Sequence, residues 1–297
     1  MKRAVLLMTA LAGCASFIDN KAASSTYRIL EKSMEAAGRQ SDLQLAREAL
    51  PGGIMQLAAF SLAYPDHRGF RVMHADALCQ YAVAFVFDDW EDATFTGRVE
   101  AAEPIAERLD GLLASCVDAN VALLPPAWRI AHASGAEAFT AKLATLTRAE
   151  VPAVLWIAMA GSVKIALAPI ANISKLPVVK TTLARVAEVA PGYHDADAEI
   201  LLGTLEAALS AMFKGSDGAA RFAAARKLAG ERALSVEVMF ARGVAVARKD
   251  RALFTVTLER VLAADLARWP EHRLANELAR KKARRYLAAI DSLIPAR

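Results

Sequence analysis

Glycine and proline are scarce in this chain, 15 and 11 among 297 residues, which excludes a collagen-like repeat and a linker-rich or mucin-like protein. Aromatic residues make up only 7%. Strands draw on aromatic and β-branched side chains, so that shortage, beside abundant Ala and Leu, argues for helix. Charged residues are also few, 23% against 55% hydrophobic, and burial of that much apolar surface offsets chain entropy, which excludes disorder. A concentrated positive field is missing as well. The formal charge is +4, and once Lys2 and Arg3 are set aside as part of a removable leader, 34 basic residues face 32 acidic ones. Proteins that displace counterions from phosphates need clustered cations, so nucleic acid is excluded as a partner.

The leader is read from Met1 to Cys14. Two cations, an apolar stretch from Ala4 to Ala12 and then Gly13-Cys14 give the layout of an export signal. About ten apolar residues reach only about 15 Å as a helix, half a bilayer core, so the stretch is no membrane anchor by itself. Leu11-Ala12-Gly13-Cys14 resembles a bacterial lipoprotein box, in which small residues admit the peptidase and the cysteine thiol accepts a diacylglyceryl group. The expected organisation is therefore a cleaved signal over 1–13, a lipidated tether over 14–25 beginning at Cys14, and a single all-α domain over 26–297. Ala15 stands where an Asp would retain a lipoprotein in the inner membrane, so the expected location is periplasmic, on the inner leaflet of the outer membrane. Several acyl chains on one residue give the anchoring that one chain cannot. Cys79 and Cys116 remain, and two readings stay open for them: a disulfide formed in an oxidising compartment, or two small buried apolar residues. Their spacing does not point to zinc.

The mature chain has helical periodicity almost throughout, most clearly in its last third. Leu201, Leu205, Leu209 and Met212 recur at helical spacing until the turn cluster Lys214-Gly-Ser-Asp-Gly218. Phe222, Ala225 and Ala229 mark a second helix. Ser235 reads as the N-cap of a third running to Arg248, and Phe254, Leu258, Val261 and Leu262 mark a fourth from Arg251 to about Leu266. Short loops make neighbours antiparallel. Three junctions share a helix-ending proline followed closely by histidine: Tyr64-Pro65-Asp-His67, Ala190-Pro191-Gly-Tyr-His194 and Trp269-Pro270-Glu-His272. Pro191 and Pro270 lie 79 residues apart, room for two helical hairpins of the size of tetratricopeptide (TPR) or HEAT repeats. The fold class expected is all-α, a compact array of degenerate TPR-like helix hairpins.

One segment breaks the amphipathic pattern. From Val151 to Ala168 the chain is almost wholly apolar, but Lys164 and Gly161-Ser162 interrupt it, so it reads as a helix buried on all sides rather than a membrane span. A buried ammonium needs a partner or a cavity, which makes Lys164 a candidate ligand contact. Trp156 on the same segment, with Trp128-Arg129 after Pro125-Pro126, completes the candidate ligand-binding set. No nucleophile elbow, phosphate-binding loop, dinucleotide fingerprint or His-Glu-x-x-His sequence is present. The sequence gives no catalytic residue, no metal ligand set and no cofactor. Asp88-Asp89-Trp90-Glu91-Asp92 lacks the Gly and closing Glu of a calcium loop and reads as a solvated inter-helix turn. Arg280-Lys-Lys-Ala-Arg-Arg285 reads as a solvated helix face or, alternatively, a docking surface for acidic groups.

The residues also resemble a known family, the T component of TRAP-transporter-associated TPR proteins (TatT). The likeness is carried by Ala46-Arg-Glu-Ala-Leu-Pro51, by Val186 through Leu202-Gly203 to Lys214-Gly215, and by Ala252-Leu-Phe254 through Leu274-Ala-Asn276 to Arg284. The chain departs from the family in having Leu155-Trp156 where a Tyr-Trp pair is usual, and Gly215-Ser216-Asp217 where paired glycines are usual. The resemblance implies a non-enzymatic periplasmic lipoprotein, a homotrimer with a ligand-accessible pore, docked to the periplasmic substrate-binding protein of a TRAP transporter and binding a small solute. The alternative is a structural TPR-type lipoprotein serving outer-membrane or envelope assembly.

Overall fold

The computed structural model describes residues 21–210 and 215–295, and among these every regular element is helical. Helix α1 spans 21–38, so residues 21–25, expected to belong to the tether, already form its first turns. Helix α2 (Leu43–Ala63) starts where the Asp42 carboxylate accepts from the Gln44 and Leu45 amides, and α3 (Arg68–Tyr81) follows the Pro65 junction. A π-helical turn, Ala82–Val86, then leads without a break into α4 (Phe87–Phe95). The long α5 (Val99–Leu123), the short α6 (Pro126–Ala133) and α7 (Ala136–Lys142) precede the apolar α8 (Val151–Leu167). The chain continues through the four-residue α9 (Pro169–Asn172) to α10 (Leu176–Val189), α11 (Asp197–Ser210), α12 (Ala219–Ala229) and α13 (Ser235–Phe240). It ends with α14 (Arg251–Ala263), α15 (Arg273–Ala288) and α16 (Ile290–Leu293).

Local chemistry explains several boundaries. Ser235, expected as an N-cap, is instead the first residue of α13, with Leu234 at the cap and no side-chain bond there. The Leu234 amide is taken by the Asn276 side chain, which also donates to the Arg232 carbonyl at 2.9 Å. A side-chain amide from the distant α15 therefore does the work of a local cap. The helix expected to reach Arg248 runs continuously to residue 247, with a second π-helical turn at Ala241–Ala245 within it. The Leu-Gly step on α11 has a steric reason: a Cβ on Gly203 would lie 2.8 Å from the Phe222 ring, and one on Gly218 would lie 2.1 Å from the Gly203 carbonyl. Gly218 also holds a φ of +79°, so the turn can fold flat onto α11.

Neighbouring helices pack in sequence, α2 on α3, α3 on α5, α5 on α8, α8 on α10, α10 on α11 and α11 on α12, while α13, α14 and α15 form the last group. Helix α15 then returns to touch α2 and α4. That return is ionic. Asp88 is 0% exposed and Glu91 9%, and both take their charge partners from α15. Lys281 reaches Asp88 at 2.7 Å, Lys282 reaches Glu91 at 2.7 Å, and Arg285 binds Asp88 at 2.7 Å and also Glu91. The Tyr286 hydroxyl donates to Glu91 at 2.5 Å. Two expectations are thereby corrected. The acidic pentapeptide is not a solvated turn, because Asp88 and Glu91, three residues apart on a helix, face the same way into the protein. Three cations of the basic run, Lys281, Lys282 and Arg285, are consumed by that pair and offer no free docking face.

The network sets two expectations for stability. Removing one member strands buried charge, so Asp88→Asn should cost about 3–5 kcal/mol, read by urea denaturation. Burial by itself would raise the Asp88 carboxyl, but the Lys282 charge and the Arg285 hydrogen bond overcome it and hold it at about 2, against 3.8 unperturbed. A depressed carboxylate contributes fully above its unfolded value and loses that contribution as pH falls through the folded one. Wild-type stability should therefore drop by about 2 kcal/mol more than that of Asp88→Asn between pH 4 and pH 2.

Candidate functional site

Helix α8 carries almost no polar residue, so its sides must be covered by other helices, and α5, α7 and α10 do not close completely around it. They leave a cavity of about 410 Å³ walled by apolar residues such as Val117, Phe139, Ile157 and Val178. Polar groups on the wall include Asp118, His132, Lys164, Lys175 and Thr182. A Cβ on Gly161 would lie 2.7 Å from a Val179 methyl, so the absence of a side chain there sets how closely α8 and α10 approach beside the cavity. Lys164 projects onto this wall and is held at 2.7 Å by Asp110 of α5, leaving its side chain 22% exposed. Both conditions expected for a charge on an apolar helix, a partner and a cavity, are met together. The size and lining suit a small, largely apolar molecule with an anionic group.

Of the other candidate ligand contacts, Trp128, Arg129 and Trp156, none lines this cavity. Trp156 precedes Ile157 and so points about 100° round α8 from it. It is 5% exposed and packs with Met159 against Cys79 and Cys116. Those cysteines are joined in a disulfide between α3 and α5, with Cα atoms 5.2 Å apart. Of the two readings left open, the disulfide is the one the structure has. Buried Asn120 donates to the Cys116 carbonyl at 2.9 Å and faces the Cys79 sulfur at 3.2 Å. Trp128 is buried, its ring edge-on to Phe139 at 5.8 Å, and thus stands behind the cavity wall rather than on it. Arg129 is exposed. Cys14 lies outside the described residues. Lys175, Asp118 and His132 were missed because nothing in the local pattern distinguishes them; only the packing of α5, α6 and α10 around α8 brings them together.

A second polar group forms behind α8. The Trp156 indole donates to Asp76 at 2.8 Å, and its ring meets His194 edge-on at 5.7 Å. His194, Asp195 and Ala196 all hold positive φ, at 51°, 54° and 65°. Such a run is strained for residues with a Cβ and persists only where the surroundings impose it. Asp195 is gripped by Arg232 at 3.0 Å and by His272 at 3.3 Å, so the junctions after Pro191 and Pro270 converge on one carboxylate. The hydrogen bond to Asp197, at 2.5 Å, raises His194 to about 9 against the opposing effect of burial. Burial likewise pushes the neighbouring Tyr193 up to about 12, with the Asp76 and Asp197 charges adding to it. Among the described residues no cluster of three or more His, Cys, Asp or Glu could hold a metal ion. None of their helices is long and apolar enough to cross a membrane.

Comparison with known proteins gives one finding of identity: a family model described as TRAP transporter T-component matches residues 39–294. No curated protein matches the chain significantly.

The histidine pair with Asp197 is directly measurable. The His194 ring should titrate near pH 9 by NMR, and Asp197→Asn should move that midpoint down by a unit or more toward 6.5. Because the folded value is raised, the stability from this contact is complete below pH 6.5 and fades as pH rises through 9. A ring that titrates near 6.5 in the wild-type chain would mean that the strained turn is not held by this bond.

Proposed function

The chain belongs to the TRAP transporter T-component family, and from that premise we propose that it is a non-enzymatic, lipid-anchored periplasmic protein that scaffolds the substrate-binding protein of a TRAP transporter and takes a small solute into its cavity. Membership makes it an accessory component of TRAP-type uptake and places its work in the cell envelope. The observation that carries the solute-binding reading is the cavity beside α8, with apolar walls and the Lys164 and Lys175 ammonium groups on them. The Cys79–Cys116 disulfide supports an oxidising, exported location. Lipidation at Cys14 and trimeric assembly rest on the leader sequence and the family likeness. Consecutive helices packed on one another support a reading as degenerate TPR-like hairpins.

Trp128, Trp156 and Arg129 serve this reading differently from Lys164. The two tryptophans support the helices that shape the cavity, and Arg129 stands outside it. Lys164 is the residue of the set that a bound solute would meet, through an ammonium already oriented by Asp110.

Two measurements test the proposal. Native mass spectrometry of the protein mixed with the cognate substrate-binding protein should give a trimer that takes up that partner. A monomer that ignores it would favour the envelope-assembly reading. In solution, a small apolar anion such as anilinonaphthalene sulfonate should bind with a fluorescence increase. Ala136→Trp, at an exposed position on the cavity wall, should abolish that increase without lowering the melting temperature. Lys164→Gln should weaken binding about tenfold, the worth of one charge-assisted hydrogen bond. Unchanged binding in both variants would remove the cavity from the function.

A further inference from the structure

The connection between α8 and α10 carries apolar residues that nothing among the described residues covers. Ile170 is 94% exposed and Ile173 50%, and Pro169 and Ala171 between and beside them are exposed too. These side chains cannot fold back, because the loop is pinned from within. Asn172 donates to the carbonyls of Lys164 at 2.9 Å and Ala168 at 3.1 Å, and its own side-chain oxygen accepts from Lys175 at 2.7 Å. The result is a rigid apolar knuckle with an exposed ammonium beside it.

Its electrostatic surroundings are one-sided. From Val151 to Ala187 the chain contains no acidic residue but has Lys164, Lys175, Lys180 and Arg185. Lys164 is neutralised by Asp110 and Arg185 by Glu188. Lys175 and Lys180 have no acidic partner among the described residues, although Asp118 and Glu137 stand on the walls of the cavities that this loop borders. Lysine is depleted at protein–protein interfaces, and two short turns offer far less than the roughly 800 Å² per partner that a stable dimer buries. An apolar tip flanked by lysine is instead the pattern of elements that lie in the headgroup layer of an anionic bilayer.

We propose that the 168–177 knuckle is a membrane-contact surface that inserts Ile170 and Ile173 into an anionic lipid leaflet while Lys175 engages lipid phosphates. Lys175 also stands on the wall of the cavity beside α8, so this contact sets the cavity's edge against the headgroup plane. The surface acts independently of the N-terminal lipid, which tethers the protein without orienting it.

The test labels the knuckle itself, so that attachment through the N-terminus cannot mimic it. The full chain carrying Ile170→Cys, derivatised with an environment-sensitive fluorophore, is mixed with vesicles of phosphatidylcholine and phosphatidylglycerol at 3:1. The label should shift to the blue and brighten severalfold, whereas the same label introduced by Val256→Cys on α14 should not respond. Lys175→Gln in the labelled protein should weaken the response about fivefold. A label at 170 that stays in water with these vesicles overturns the proposal. So does a change that grows with protein concentration in the absence of vesicles, which would make the knuckle an interface between copies. An equal response to pure phosphatidylcholine with no effect of Lys175→Gln would overturn the role given to the lysine.

Discussion

The fold is closed by a buried ionic latch. Asp88 and Glu91 of α4 and Lys281, Lys282 and Arg285 of α15 are almost 200 residues apart in sequence, yet each acid binds two or more of those cations. Taking these charges out of water costs several kcal/mol for each, and their mutual attraction compensates only when every member is matched. The latch therefore contributes less as net stability than as discrimination. An α15 shifted by one residue would leave charge stranded in the interior. Aromatic rings complete the enclosure: Phe95 lies 5.6 Å from Tyr286, and the Arg242 guanidinium, from the second π-helical turn, sits 5.7 Å over Phe95. Both π-helical turns thus adjoin the same joint. Each adds a residue to a helix turn and so resets which side chains face inward.

With α4 and α15 joined, the helices between them have little freedom. Helices α5, α8 and α10 are stacked in order, and α8, being apolar around most of its circumference, must be enclosed by them. The disulfide ties α3 to α5 on one side of α8, and the strained 194–196 turn, clamped by Arg232 and His272, presses on Trp156 from the same side. That flank is packed, with Trp156 bonded to Asp76 and Asn120 bonded to the Cys116 carbonyl. The opposite flank, between α7 and α10, is where packing is incomplete and the cavity opens. The asymmetry of support around one helix is what places the cavity.

Much of this was legible in the sequence, and the limits have physical causes. Helical composition and the shortage of aromatic residues gave the fold class, because propensity summed over hundreds of residues is informative. The apolar run from Val151 gave α8 and its burial, and the charge within it marked Lys164 as the residue in need of a partner. The proline junctions were visible, but their convergence on Asp195 was not, since nothing local links Arg232 and His272 to it. The acidic pentapeptide reads as solvated, and the basic run as a solvated face or a docking surface for acidic groups, because charge alone does not show which opposite charge lies beside it in space. Trp156 belongs to the candidate ligand set yet faces away from the cavity for a related reason: periodicity shows that a helix has faces, but an almost uniformly apolar helix does not show which neighbour each face meets.

Charge balance separates the parts of the molecule that hold it together from the part that can act on something else. In the latch, the Asp88 and Glu91 carboxylates and the Lys281, Lys282 and Arg285 cations satisfy one another, and at the strained turn Asp195 and Asp197 are likewise answered. The carboxylates at both places are already engaged by partners within the protein. Around α8 and α10 it is otherwise: Lys164 is paired with Asp110, while Lys175, at the point where cavity wall and exposed knuckle meet, has no acidic partner among the described residues. Unmatched cation, unfilled volume and uncovered apolar side chains occur together there. A packed protein retains each of these against a cost, and they coincide on the flank of α8 that the disulfide and the ion clamp leave unsupported, the side on which we propose the protein acts.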